Sequence, residues 1–406
     1  MRRLLPAVFS VLIAASAHAQ PLFNAVANPV QPNQAIARVF GDPPTIRSRQ
    51  VTLNAQYFAA QAASASGELV INLFPDFTVT ALHDVVEQGS DATKWRGPLS
   101  GQSLWGRAIL AVSGSHIAGL VQKDGRVFLI KPITEQVHLV SELRQHDFPI
   151  EAQPLASPAI DRTQSAADGD GHYTLRVMLV MDTSLSALCW FSWLQATFES
   201  VFEANLDDVW DTFTTSTIRA DVTIFCSQHS ATGGDLSADL TWVSSDVGVA
   251  AERNARAADI VSFIVPSSSS TICGLGRVNG PPVVAADESR AFSVVVAGCA
   301  LGNYSLAHEI GHNMGMRHDR ATEGGGDPAA CNYGYWITWG GVPAARTVMA
   351  YDCPTGCTRL GVHSYPWSTY LPPFGDVVFG IACGSPTGAN NIEQLEQAAP
   401  VMEAFR

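Results

Sequence analysis

The apolar positions fall into short runs separated by turn residues, and the character of those runs changes once along the chain. Between residues 20 and 150 the segments "GELVINLF", "FTVTALHDVV", "RAILAVSGSHIAGLVQ" and "RVFLIKPI" are alternating or wholly apolar, with "GPLSGQ" and "KDGR" among the turns. Such runs predict strands, and the Asp-Gly of "KDGR" predicts a tight hairpin because it tolerates positive φ. A β-rich module is expected there.

Beyond residue 172 apolar strands alternate with amphipathic segments. "YTLRVMLVMD" (173–182), "ADVTIFC" (220–226), "ADIVSFIVP" (258–266) and "AFSVVVAG" (291–298) read as strands. "LCWFSWLQATFESVFEANLDDVW", "DVGVAAERNARA" and the final "NNIEQLEQAAPVMEAFR" read as helices. That alternation predicts an α/β domain over 173–406. The stretch between, "PLASPAIDRTQSAADGDGH" (154–172), is small and polar and reads as an exposed linker open to proteolysis. "CGLGRVNG" (273–280) lacks the full GxGxxG fingerprint and opens no helix, so a glycine-rich loop beside a disulfide is expected.

Composition sharpens this picture. With 47% hydrophobic and 15% charged residues, the 406-residue chain can bury a core and is long enough for two domains. The opening "MRRLLPAVFSVLIAASAHAQ" joins a basic start, a short apolar run and Ala17-His18-Ala19, the pattern of a signal peptide spanning 1–19. Export as a secreted protein is expected rather than membrane anchoring, since no later segment offers the ~20 apolar residues of a spanning helix. Residues 171–406 hold 11 Arg, no Lys and 23 Asp plus Glu, so they carry −12 of the total −13. So acidic a domain is a poor partner for nucleic acid. Solubility outside the cell is sufficient explanation.

All eight cysteines (189, 226, 273, 299, 331, 353, 357, 383) lie in the second half, which in an exported chain favours disulfides. Connectivity stays open, with Cys273–Cys299 and a short Cys353–Cys357 loop the preferred pairs. No motif supports a structural Ca2+: an EF-hand loop starting at Asp168 would place Leu179 where its last carboxylate belongs.

The densest chemistry is "YSLAHEIGHNMGMRHDR" (304–320). His308 and His312, four apart on a helix, share one face and can reach one ion. Glu309 points about 100° away, too far round to be a third ligand in that turn but able to reach a water beside the ion. His318 lies six residues further and can join only if the helix ends and the chain turns back. Gly315 supplies that turn, since glycine accepts the left-handed conformation. Three imidazoles with one open position make a catalytic rather than structural Zn2+ site.

"HEIGHNMGMRHD", followed by Met349 in "RTVMAYDC", resembles the metzincin zinc metallopeptidases, and Asp319 after the third histidine resembles their adamalysin/reprolysin-like branch in a secreted bacterial form. "RNARAADIVSFI", "CGLGRV" and "AFSVVVAGCA" agree with that branch, while residues 20–153 resemble a propeptide more weakly. The resemblance implies a mixed, mostly parallel twisted sheet of five strands with long helices, a zinc cleft and an irregular lower part after Gly315. It implies one catalytic Zn2+ on His308, His312 and His318, with Met349 in the turn beneath it. Peptide-bond hydrolysis would use a zinc-bound water with Glu309 as general base. Polypeptide substrates would lie extended along an edge strand at 291–298, and the chain's own propeptide is a candidate inhibitor.

Tyr351 stands at the spacing of a tyrosine that approaches zinc in the astacin and serralysin branches. Asp319 points to a branch where that position is wall, so a zinc or transition-state contact and a wall residue both stay open. The propeptide region has no cysteine, which rules out thiolate latency and leaves another group or steric blockage. "RLGVHSYPW" (359–367) replaces the family's usual stretch at the S1′ pocket, with His363 expected in the pocket wall or at the surface. Asn303-Tyr304-Ser305 is a glycosylation sequon at an unfavourable place. The competing class is a secreted binding protein or adhesin on an inactive peptidase scaffold.

Overall fold

The computed structural model describes residues 21–101, 105–156, 170–266, 271–371 and 375–406. The expected signal segment 1–19 and most of the 154–172 linker lie outside these.

The N-terminal module is an eight-stranded antiparallel sheet with a separate hairpin, Glu68–Phe74 with Phe77–Leu82, over one face. The "KDGR" turn joins strands His116–Lys123 and Arg126–Pro132, with Asp124 at φ 52° and Gly125 at φ 76°. Both faces of the sheet are buried, which explains its nearly continuous apolar runs. Leu110, Val112, Val121, Phe128 and Ile130 pack under the hairpin and the helix Ala55–Ala62. Ala111, Ala118, Leu120, Val127 and Leu129 point the other way and join the core of the second half.

That second half is a mixed α/β domain. Four parallel strands, Thr217–Cys226, His172–Met181, Ile260–Val265 and Phe292–Val296, form the sheet in that order. A fifth, Gly274–Val278, pairs antiparallel with Phe292–Val296. "CGLGRV" is therefore a strand rather than a loop, and the 291–298 run is interior to the sheet rather than its edge. The physical reason is its sequence: five fully buried residues, "FSVVV", need cover on both faces and strands on both sides. The edge falls to the glycine-containing strand, whose outer side pairs in parallel with Leu155–Ala156 from the end of the N-terminal module.

The expected long helix starts as a short turn, Ala187–Trp190, and continues as Ser192–Asp211. Its outer face carries Glu203, Asp207, Asp208 and Asp211, and the N-terminal sheet meets it with cations. Lys94 lies 3.3 Å from Glu203, Arg96 lies 3.1 Å from Asp211, and Arg107 pairs with Asp208. Part of the acidic excess thus docks one module on the other. The region after Gly315 is more regular than expected, with five short strands between Trp336 and Val378 forming a small sheet.

All eight cysteines pair: Cys189–Cys226, Cys273–Cys299, Cys331–Cys383 and Cys353–Cys357. Among the described residues no helix is long and apolar enough to cross a membrane.

Candidate active site

The motif helix runs Ser305–Asn313 and every residue in it is buried. Gly315 takes φ +87°, and the chain turns there. The helix-end carbonyls left without an intrahelical partner are satisfied: Gln394 Nε2 donates to Met314 O at 2.8 Å, and Met316 N–H returns to Gly311 O at 2.9 Å. This turn carries His318 back to the other two histidines. The three Nε2 atoms form a triangle with sides of 3.1, 3.1 and 3.3 Å.

A tetrahedral zinc with Zn–N bonds of 2.0–2.1 Å requires ligand nitrogens about 3.3–3.4 Å apart, so this triangle fits one ion. The rings are oriented from behind. His308 Nδ1 donates to Val348 O and His312 Nδ1 to Met316 O, both at 2.9 Å, leaving Nε2 facing inward. Glu323 Oε1 lies 3.4 Å from His318 Nδ1. Burial, then the neighbouring histidines, holds His308 and His312 well below the usual imidazole range, in the neutral form a metal needs. The other ligand-like groups, Cys331/Cys383/Glu393 and Asp352/Cys353/Cys357, rest on cysteines already in disulfides.

Met349 lies beneath the helix, fully buried, where its Sδ would sit 2.5 Å from a Cβ added to Gly311. Asp319 ties the third-histidine segment to this turn: it accepts from Tyr351 N–H at 3.0 Å, and from Thr322 N–H and Oγ1 at 3.0 and 2.8 Å.

Glu309 is fully buried and lies against the edge strand. A Cβ at Gly274 would come within 2.5 Å of its Oε1, and one at Gly276 within 2.8 Å of its Oε2. The two glycines are what allow strand and carboxylate to approach so closely. Burial first, and the nearby Glu151 second, pushes the Glu309 carboxyl well above the usual range.

Four residues reach this site that sequence reasoning did not assign to it: Glu151, Asn303, Ser305 and Arg359. Glu151, from the end of the N-terminal module, enters with its carboxylate buried against Arg359 at 2.6 Å. Asn303 is buried and bonded to the same carboxylate, so it is no glycosylation site in the folded chain. Arg359 opens the stretch flagged for its departure from the family pattern, which was the available signal. Glu151 had none, because nothing local distinguishes it from any acidic residue in a turn. Tyr351 has its ring 4.2 Å from that of His318 and donates its hydroxyl hydrogen to Glu151 O at 2.5 Å. His363 is fully buried and stands outside the histidine triangle.

A mixed α/β domain with a three-histidine site beside a buried glutamate defines a zinc metallopeptidase of metzincin type. Residues 165–360 match the model of metallo-peptidase family M12, reprolysin type. It is 27% identical to a peptidyl-Asp metalloendopeptidase of Stenotrophomonas maltophilia over 98% of this chain and 97% of the relative. Against the enzyme of that name from Xanthomonas campestris pv. campestris it is 29% identical over 97% of this chain and 95% of the relative. A third, from Pseudomonas fragi, is 45% identical over 76 residues, 18% of this chain and 49% of the relative. The chain is thus a metalloendopeptidase, and its kinship with these bacterial enzymes extends through the N-terminal module.

Proposed function

We propose that this protein is an exported endopeptidase in which Glu309 acts as general base, residues 20–153 are a propeptide, and cleavage falls beside acidic residues. The observation that carries the reading is the position of Glu309, one residue from His308 and pressed against the edge strand where a peptide would lie. His308, His312 and His318 would hold the zinc. The ion supplies Lewis acidity, polarising the scissile carbonyl and making water nucleophilic near neutral pH.

Glu309 takes the proton from the attacking water and passes it to the departing amine. The strand Gly274–Val278 orients an extended peptide through main-chain hydrogen bonds. The names of the relatives suggest aspartate at the cleaved bond. A binding-only role has nothing in its favour, since Glu309 and all three histidines are present.

Glu309→Ala in the full chain should keep stoichiometric zinc by elemental analysis and lower peptide cleavage by roughly 10²–10⁴-fold. Near-wild-type cleavage by that variant would remove Glu309 from the reaction. A chelator should abolish cleavage by the parent and zinc should restore it.

A further inference from the structure

The segment Ile150–Ala156 lies along the edge strand as an extended peptide. Ile150 O accepts from Cys273 N–H at 2.8 Å, Ala152 N–H donates to Gly274 O at 3.0 Å, and Leu155 and Ala156 continue the pairing. Glu151, between these contacts, turns its side chain inward beside Glu309. Its Oε1 accepts from Arg359 Nη1 at 2.6 Å, Ser305 Oγ at 2.7 Å and Asn303 Nδ2 at 3.2 Å. We propose that Arg359, Ser305 and Asn303 form a carboxylate receptor that selects an acidic substrate side chain beside the scissile bond, and that Glu151 fills it in the intact chain. The proposal rests on the endopeptidase reading above and names the group that reads the substrate.

The receptor is built into the domain rather than induced by Glu151. Arg359 is held by Asn303 O at 2.8 Å and Ala350 O at 3.4 Å, which anchors the guanidinium between the motif helix and the Met349 turn. Arg359, Asn303 and Ser305 are each no more than 1% exposed. Among the described residues, the carboxylate within ion-pair range of Arg359 is that of Glu151, which comes from outside the catalytic domain.

When Ile150–Ala156 leaves the strand, a desolvated cation and two donors lose their acceptor. Truncating one partner of a buried pair is costly because the other charge stays buried and unpaired. A peptide bringing Asp or Glu restores the pair, while one bringing a neutral side chain leaves the buried Arg359 charge uncompensated. A site built on polar groups discriminates strongly for this reason. Arg346 adds positive potential close by, facing Asp352 at 3.8 Å. Main chain and side chain of residue 151 thus occupy the place that the proposal gives to a substrate residue.

Two measurements on the full chain test this. In the first, zinc-loaded parent and Glu151→Gln/Arg359→Gln proteins digest a peptide library varied around the cleaved bond. The parent should prefer Asp over Asn and Glu over Gln by about 100-fold or more, and the double variant should bring those ratios close to one. An acidic preference that survives in the double variant, or is absent from an active parent, overturns the proposal.

In the second, a Glu309→Ala background prevents self-cleavage and Glu151→Gly empties the receptor. Propionate, the fragment removed, should raise the melting temperature of this chain. Propionamide should not, and adding Arg359→Gln should abolish the response. Absence of a propionate-specific shift also overturns the proposal. This arm decides the matter if the double variant cleaves nothing. A zinc-loaded Glu151→Gly chain with Glu309 intact that cleaves no peptide refutes the endopeptidase reading, while the propionate response still judges the receptor.

Discussion

At the scale of single residues, the site depends on atoms that are missing as much as on those present. Gly274 and Gly276 looked like loop residues because glycine is depleted from strand interiors. Their reason for being there is Glu309, which no local rule connects to a segment some thirty residues earlier. Gly274→Ala places a methyl 2.5 Å from Glu309 Oε1 and 2.8 Å from its Cγ, so either carboxylate or strand must move. Turnover should fall by roughly 10–100-fold, since a displacement of about 1 Å costs that much in a positioned reaction. Far-UV circular dichroism should stay unchanged. Full activity in this variant would show that Glu309 need not touch the strand.

At the scale of elements, the motif helix was legible because its instructions are local. Histidines four apart define a face, and a glycine three residues after the second permits the turn at φ +87°. What the pattern does not reveal is how tightly the helix is enclosed. A Cβ on its Gly311 would lie 2.5 Å from Met349 Sδ and 3.3 Å from Met349 Cε, with Met316 Sδ at 3.4 Å. Gly311→Ala gains about 1 kcal/mol in helix propensity but overpacks a fully buried methionine, at a typical cost of 1–3 kcal/mol. Packing should win, lowering the melting temperature by a few degrees in scanning calorimetry. An unchanged or higher value would mean that Met349 can repack freely.

Strand types were readable for the same local reason, but strand order was not. "AFSVVVAG" was correctly a strand and wrongly an edge, because neighbours in a sheet are chosen by pairing across the whole domain. The antiparallel strand from "CGLGRV" takes the edge, and the segment Ile150–Ala156 covers it.

At the scale of the whole molecule, the N-terminal sheet and the catalytic domain share one core, and each supplies what the other lacks. Lys94, Arg96 and Arg107 answer the acidic face of the helix Ser192–Asp211, and His116 stacks on Trp193 at 3.9 Å. The module also contains an acid-sensitive group. His138 is fully buried, and its Nε2 accepts the Ile117 N–H at 3.1 Å, so the ring must be neutral. Burial, then nearby His116, pushes it down to about 3 from 6.5.

Because its folded value is lower, the unfolded chain takes up this proton first. Stability is then lost as pH falls from about 6.5 towards 3, by up to about 1.4 kcal/mol per unit and on the order of 5 kcal/mol in all. His363, likewise buried and pushed down to about 3, adds to the fall in the same window. Urea midpoints of the Glu309→Ala chain should therefore drop between pH 6 and 4, and His138→Gln should flatten that drop. Equal slopes in the two proteins would clear His138 of the effect.

Most of what was legible in advance was short-range: strand and helix types, the hairpin turn at Asp124-Gly125, the preferred Cys353–Cys357 loop, and the spacing that lets three histidines meet, with the preferred Cys273–Cys299 pair the longer exception. Propensity, periodicity and turn chemistry act over a few residues, so one chain read in order is enough. Strand order, the glycine cradle for Glu309, and the meeting of Glu151 with Arg359, 208 residues away, belong to the folded molecule. Each depends on which distant surfaces exclude water together, and no window along the chain carries that information.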